Sequence, residues 1–320
     1  MKRKLTLLAV VCALFVLIAA SHQVIESCRY GLRLCIELIL PSLFPFFLIS
    51  ILLSRLGFPA WLGRILAPAA SRLFHVSGAG VTALFVGLTG GYPMGAAYLA
   101  ELMRDGTISH AEGERLLGFC NNSGPAFLVG AMGAGVFGSA RIGLLLYTVH
   151  TSAALLTGLL LRGKGQPPEA RPTALQVEEI SLARLLPDAV SQSVAALLNV
   201  CGFVVCFSVF TGLLDSSGLL DNISRIVCSR FQIDPQALRA LLIGFWELGS
   251  GIGALRGLSP TPLNLAFAAM LVGWGGLSVH FQTLAVLSDV DTKSALHTAG
   301  RFLSSVLSFS LMYALSVLRS

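Results

Sequence analysis

The sequence contains few charged residues. Only 12% of its 320 residues are Asp, Glu, Lys or Arg, whereas about 25% is usual in soluble globular proteins. So few charges cannot cover the surface of a chain that folds in water. Together with a mean hydropathy of +0.79, this excludes a soluble enzyme, a DNA-binding module and a disordered scaffold. The composition predicts a polytopic membrane protein.

The sequence also lacks the common motifs of catalysis and metal binding. Its seven cysteines are an odd number without a C-x-x-C pair, so they indicate neither a disulfide framework nor a metal site. There is no H-E-x-x-H, Walker lysine or G-x-S-x-G motif. We therefore expect no enzyme and no cofactor other than H⁺ or Na⁺ as a coupling ion. The basic residues are scattered beside apolar runs, which argues against a nucleic-acid partner.

Apolar runs of membrane length define several segments of the first half. Residues 5–20 follow the basic sequence MKRK and predict an N-terminal signal anchor within residues 1–24. Small residues at the end of this run leave its cleavage as a signal peptide open. Residues 34–53, interrupted at Pro41 and Pro45, and the plain apolar run at 142–161 predict further spans. Between them, residues 59–76 mix arginines with large apolar side chains, which is typical of a helix in the membrane interface.

Two further apolar segments of the first half are interrupted in the middle. Residues 78–102 are broken by Thr-Gly-Gly-Tyr-Pro at 89–93, and residues 114–136 by Asn-Asn-Ser-Gly-Pro at 121–125. A proline follows each break, where it fits the first turn of a new helix because its missing N–H would have no partner there. Both segments predict discontinuous membrane helices with exposed half-helix ends.

The second half repeats this order of parts. The order is a span, an interfacial helix, two broken segments and a closing span, at 190–214, 219–231, 237–255, 265–287 and 298–318. We therefore predict a first repeat at 28–162, a hydrated cytoplasmic linker at 163–179 and a second repeat at 180–320. If the first broken segment of each repeat is a re-entrant hairpin, each repeat crosses the membrane an odd number of times. The second repeat is then inverted.

The loop charges agree with this topology. Most Lys and Arg residues, with Arg301 counted among them, then lie on the side of the N-terminus, which the positive-inside rule places in the cytoplasm. The predicted fold is an all-α polytopic membrane protein with about seven spans, two re-entrant hairpins and two inverted repeats with broken helices.

The breaks predict a shared solute site. An unwound helix leaves N–H and C=O groups unpaired, so it persists in a membrane only where protein, water or a solute satisfies them. Half-helices that begin at Pro93 and Pro125 would direct N–H groups and positive dipole ends at the site, which favours an anionic or carbonyl-rich solute. The predicted substrate-binding residues are Thr89, Gly90, Gly91, Tyr92, Asn121, Asn122, Ser123, Glu247, Gly249, Ser250 and Ser278.

Other interpretations of these residues stay open. Glycine-proline breaks also occur as kinks that helix packing relieves, and Asn121 and Asn122 would then make only interhelical hydrogen bonds. Glu247 either takes up a proton or cation that accompanies the solute or is an interfacial charge. His150 is typical of a helix contact, and His280 fits either a site lining or a packed core.

Two motifs resemble a known family. The sequences GLTGGYPMGA at 87–96 and GFCNNSGPAF at 118–127, followed by a weaker second repeat, resemble the sporulation integral membrane protein YlbJ family. This family is part of the nucleoside-recognition or Gate-domain group, which is similar in layout to concentrative nucleoside transporters. The resemblance covers nearly the whole chain after residue 30.

The resemblance implies a role in endospore formation, in the cell membrane or a forespore-surrounding membrane of a spore-forming bacterium. It implies transport of dipicolinate, a small aromatic dianion, and its motifs place Thr89–Gly91 and Asn121–Ser123 at the solute site. We therefore expect a secondary transporter or facilitator of a small anionic solute, required for maturation of the spore envelope and cortex. A non-transporting assembly protein of the forespore membrane and a cation-coupled nucleoside transporter are the alternatives. The expected partners are the lipid bilayer and the solute, and a homo-oligomer is left open.

Overall fold

The computed structural model describes residues 2–163, 181–231 and 233–318. Every regular element in these ranges is helical, without a strand, so the predicted all-α class is confirmed. The predicted linker at 163–179 lies outside the described residues, apart from Gly163.

The described part of the first half consists of eight α-helices and two π-helical segments. In chain order these are α1 (Lys2–Ala19), α2 (Ser21–Leu34), the π-helical Cys35–Ile39, α3 (Leu40–Arg55), α4 (Phe58–Phe74), α5 (Gly78–Gly90), α6 (Met94–Arg104), α7 (His110–Cys120), the π-helical Ala126–Val136 and α8 (Ala140–Leu160).

The described part of the second half consists of seven α-helices. They are α9 (Leu182–Ser216), α10 (Leu219–Phe231), α11 (Pro235–Trp246), α12 (Leu248–Ala254), α13 (Pro262–Trp274), α14 (Gly276–Val286) and α15 (Ala295–Val317). After α1, each half thus contains a 35-residue helical segment, followed by a helix at the predicted interfacial position, two broken elements and a span. The elements follow the predicted order, and the inverted relation of the halves stays a prediction.

Five helical segments of the described chain are long and apolar enough to cross a membrane, or up to six if the bent pair α4 and α5 forms one span. They are Ser21–Arg55, Ala140–Leu160, Leu182–Ser216, Pro262–Val286 and Ala295–Val317. A membrane protein with several spans is thereby confirmed, whereas the count of about seven and the two re-entrant hairpins remain predictions.

The helix that contains the predicted span at 34–53 is longer than expected and begins at Ser21. Hydropathy does not detect its first part because α2 mixes polar and apolar residues. Its small residues Ser27 and Gly31 nevertheless face inward, and Gly31 packs closely against Val205 and Ser208 of α9. Pro41 does not end the helix, since the wider π-helical turn just before it makes room for the proline ring.

One helix ends and another begins at each of the four predicted breaks. The junctions are α5 to α6, α7 to the π-helical Ala126–Val136, α11 to α12, and α13 to α14. Pro93 and Pro125 precede the first helical residue as caps, one position earlier than predicted.

Glycines allow the first two breaks to cross in direct backbone contact. A Cβ atom at Gly87 would lie 1.6 Å from the carbonyl oxygen of Cys120, and one at Gly95 would lie 2.7 Å from the same oxygen. A similar contact joins α7 to α15, where a Cβ atom at Gly300 would lie 2.1 Å from the Gly118 oxygen. These contacts bring α15 next to the residues of the second break.

Candidate functional site

One cavity, called the central cavity below, lies where the broken helices meet. Its wall contains Gly91 and Tyr92 from the first break, Ser123 from the second and Glu247 from the third, and α14 adds Gln282. All four broken elements therefore contribute to one space. Most of the remaining wall is apolar and includes Ile39, Leu43, Phe47, Phe127, Val200 and Val204.

The first break places backbone and one phenol ring at the cavity. Gly91 has a φ of +78°, and a Cβ atom there would lie 2.9 Å from the Gly124 nitrogen, so both conformation and space favour glycine. The Tyr92 side chain is buried, and its hydroxyl donates to the Val272 carbonyl oxygen at 3.4 Å. The Thr89 hydroxyl instead donates to the Phe85 carbonyl oxygen within α5, at 2.8 Å.

The second break is held by buried hydrogen bonds. The Asn121 amide donates to the Thr283 hydroxyl of α14 at 2.8 Å, and the Asn122 amide donates to the Phe119 carbonyl oxygen at 2.7 Å. Neither amide is in the wall of the central cavity. The Asn121 side chain therefore makes an interhelical hydrogen bond, which is the alternative to a solute contact that the sequence left open.

His150 has a larger role at this break than the sequence indicated. Its Nε2 atom accepts a hydrogen bond from the Ser123 backbone N–H at 3.1 Å, so a residue of α8 satisfies a donor that the unwound chain exposes. The Ser123 hydroxyl, which belongs to a cavity-lining residue, has no hydrogen-bond partner among the described residues.

Glu247 is enclosed by protein at the third break, with 2% of its surface exposed. Its Oε1 atom accepts from the Gly249 N–H at 2.8 Å, and its other carboxylate oxygen accepts from the Ser250 N–H. The Ser278 hydroxyl lies 3.5 Å from Oε1. The carboxylate therefore caps the start of α12 while it lines the central cavity.

Arg301 corrects the charge assignment made from the sequence. It is a fully buried residue of α15 rather than a loop charge. Its guanidinium donates to the Tyr92 hydroxyl at 3.0 Å, to the Asn122 side-chain oxygen at 3.1 Å and to the Ser304 hydroxyl at 3.1 Å. All three acceptors are neutral.

A polar stripe along α15 is the signal that sequence reasoning missed. His297, Arg301, Ser304, Ser305 and Ser308 are polar residues of α15 whose side chains are buried. Their spacing of three to four residues places them on one face. Attention to this spacing would have separated Arg301 from the loop charges.

His280 packs in the core beside this stripe. Its ring centroid lies 4.4 Å from that of Trp274 and 4.9 Å from that of His297, and it is not in the wall of the central cavity. Among the described residues, no group of three or more His, Cys, Asp or Glu side chains is placed to bind a metal ion.

The structure brings together about half of the predicted substrate-binding residues. Those that line the central cavity are Gly90, Gly91, Tyr92, Ser123, Glu247 and Gly249. Those outside its wall are Thr89, Asn121, Asn122, Ser250 and Ser278. Ser250 lines a neighbouring polar cavity, where its hydroxyl lies 3.2 Å from that of Ser208.

The fold and the central cavity define a polytopic helical membrane protein whose broken helices meet at an internal cavity. The chain is similar to the sporulation integral membrane protein YlbJ of Bacillus subtilis (strain 168), with 34% identity over 294 residues that cover 84% of this chain and 71% of the relative. The chain belongs to the YlbJ family of sporulation integral membrane proteins, as its two motifs predicted. No family model and no solved structure matches it.

Proposed function

We propose that this protein is a secondary transporter or facilitator, not an enzyme, for a small anionic solute such as dipicolinate. It acts in a membrane that surrounds the forespore, with its N-terminus in the cytoplasm, and supports maturation of the spore envelope and cortex. The observation that carries the proposal is the convergence of all four broken helices on one cavity. Transporters place their solute sites at such breaks because the unwound backbone there is free to bind the solute.

The cavity suits a small planar solute. Phe47, Tyr92 and Phe127 supply aromatic surface, while the polar groups are concentrated at the breaks. A ring with charged substituents fits this division, because the ring contacts apolar side chains and the substituents reach N–H and hydroxyl donors.

The starts of two helices favour an anion over a cation. Gly91 and Tyr92 lie before α6, and Gly124 lies before the π-helical Ala126–Val136, and all three line the cavity. Helix N-terminal ends carry partial positive charge and free N–H donors. The N-terminus of α12 already binds a carboxylate, that of Glu247 itself.

Flux measurements in liposomes test the proposal. The purified protein is reconstituted, and uptake of dipicolinate is compared with uptake of uridine and adenosine. We expect saturable dipicolinate flux that excess unlabelled dipicolinate suppresses and nucleosides do not. Flux of nucleosides alone would favour the cation-coupled nucleoside transporter. A folded protein that moves none of these solutes, but whose deletion still impairs spores, would instead be a membrane assembly protein.

A further inference from the structure

Arg301 is a buried positive charge without a counter-ion among the described residues. None of the ion pairs in this part of the chain involves it. Its Nη atoms donate to Tyr92, Asn122 and Ser304, and its Nε atom has no hydrogen-bond partner among the residues that the structure describes.

Neutral hydrogen bonds compensate such a charge only in part. A guanidinium that leaves water loses a large hydration energy, and hydroxyl and amide acceptors restore less of it than a carboxylate would. Ionisable residues inside membrane proteins therefore usually face a partner or a solute pathway. The partners of Arg301 among the described residues are all neutral, so an anionic partner has to come from elsewhere.

The position of the guanidinium indicates where that partner binds. Tyr92 contacts Arg301 through its hydroxyl and also lines the central cavity. Asn122 contacts Arg301 and directly precedes Ser123, another cavity residue, whose hydroxyl has no partner within the described part of the chain. Arg301 thus lies one layer of side chains behind the cavity wall, next to both of the first two breaks.

Glu247 places a carboxyl group in the cavity wall at the third break. Its carboxylate oxygens accept hydrogen bonds from the backbone of Gly249 and Ser250, and no ion pair joins it to Arg301 in the described chain. A solute anion is therefore expected beside Tyr92 and Ser123 rather than in contact with the Glu247 carboxyl group.

We propose that Arg301 is the positioning residue that makes the central cavity selective for carboxylate-bearing solutes, acting through Tyr92 and the second break. This inference rests on the proposed function, because it names the charge that selects the solute of that same site. In this arrangement α15 supplies a fixed positive charge beside a cavity whose wall is formed by other helices.

The test compares two probes of the same shape and different charge. Dipicolinate and its neutral analogue pyridine-2,6-dicarboxamide are offered to the wild type, to Arg301→Gln and to Arg301→Lys. Binding is measured in detergent as ligand-induced stabilisation against heat, and flux is measured in liposomes. The matched control is Arg104→Gln, which removes an exposed arginine paired with Asp289.

We expect the wild type to favour dipicolinate over the diamide by about tenfold or more, as for a charge-assisted contact. Arg301→Gln should lose this preference, Arg301→Lys should keep it with a raised KM, and Arg104→Gln should behave as the wild type. A folded Arg301→Gln protein that keeps the full preference would overturn the inference. An equal loss of binding and flux for both probes would also overturn it, because a purely structural arginine predicts that result.

If Arg301→Gln does not fold, the variant Tyr92→Phe tests the same inference. This variant keeps the guanidinium and the ring but removes the hydroxyl that links Arg301 to the cavity. We expect a higher KM for dipicolinate and an unchanged KM for the diamide, and an unchanged KM for both would overturn the inference. Selective binding of dipicolinate without flux would refute only transport, whereas flux of both probes without preference would refute only the role of Arg301.

Discussion

The guanidinium of Arg301 donates a hydrogen bond to the hydroxyl of Tyr92 at 3.0 Å across 209 positions of the chain. Tyr92 belongs to the first break, in the first half, and Arg301 belongs to the last helix of the second half. The same hydroxyl donates to Val272 of α13. This relationship ties the unwound chain of one half to two helices of the other, so the wall of the central cavity is a joint product of both halves.

Filling the central cavity should stop transport. Val200 and Val194 both lie on α9, but Val200 lines the cavity and Val194 is exposed. We expect Val200→Trp to reduce dipicolinate flux in liposomes to background, because the indole occupies the space that the solute needs. Val194→Trp should retain flux, since its ring faces away from the cavity. Equal flux in the two folded variants would contradict the assignment of this cavity.

The breaks could be predicted from the sequence, whereas the partners that hold them could not. Glycine, proline and adjacent amides interrupt apolar runs visibly at 89–93 and 121–125, because these residue types disfavour a continuous helix. Arg301 lies inside the predicted closing span at 298–318, near its start, and the charge count nevertheless placed it among the cytoplasmic loop charges. Its partners Tyr92 and Asn122 are 209 and 179 positions away, and no local pattern indicates contacts over such distances.

Asn122→Ala should destabilise the protein. The change removes the acceptor of an Arg301 donor and the bond to the Phe119 carbonyl oxygen. We expect the free energy of unfolding to fall by about 2 kcal/mol or more, because a buried charged donor loses its partner. Thermal unfolding in detergent measures the loss, and dipicolinate flux should fall while membrane insertion remains.

The matched control is Asn222→Ala, because Asn222 is exposed on α10 and accepts from Arg225. It should unfold at nearly the wild-type temperature. If Asn122→Ala shows the same stability and flux as this control, the buried network around the second break has no energetic importance. Asn121→Ala is expected to behave like Asn122→Ala, since it removes the bond to Thr283.

Glu247→Gln should weaken the start of α12. Each carboxylate oxygen accepts a backbone N–H, from Gly249 or Ser250, so the amide nitrogen of glutamine must face a donor whichever way it is turned. We expect a loss of about 1 kcal/mol in the free energy of unfolding, typical of a disrupted helix cap. Chemical unfolding followed by circular dichroism measures it. Glu26→Gln is the control, because Glu26 is exposed and pairs with Arg29 on the same helix; the same loss in both variants would rule out capping by Glu247.

Gly87→Ala tests whether the contact between the first two breaks determines the fold. A Cβ atom at Gly87 would lie 1.6 Å from the Cys120 carbonyl oxygen, and backbone at a break cannot retreat without losing the cavity wall. We expect a cost above about 3 kcal/mol, seen as poor recovery of folded protein by size-exclusion chromatography in detergent. Gly202→Ala provides the comparison within helix α9, because nothing lies within 4 Å of a Cβ atom there; it should be neutral or gain up to about 1 kcal/mol from helix propensity. Normal recovery of both variants would show that the close contact between Gly87 and Cys120 does not determine the fold.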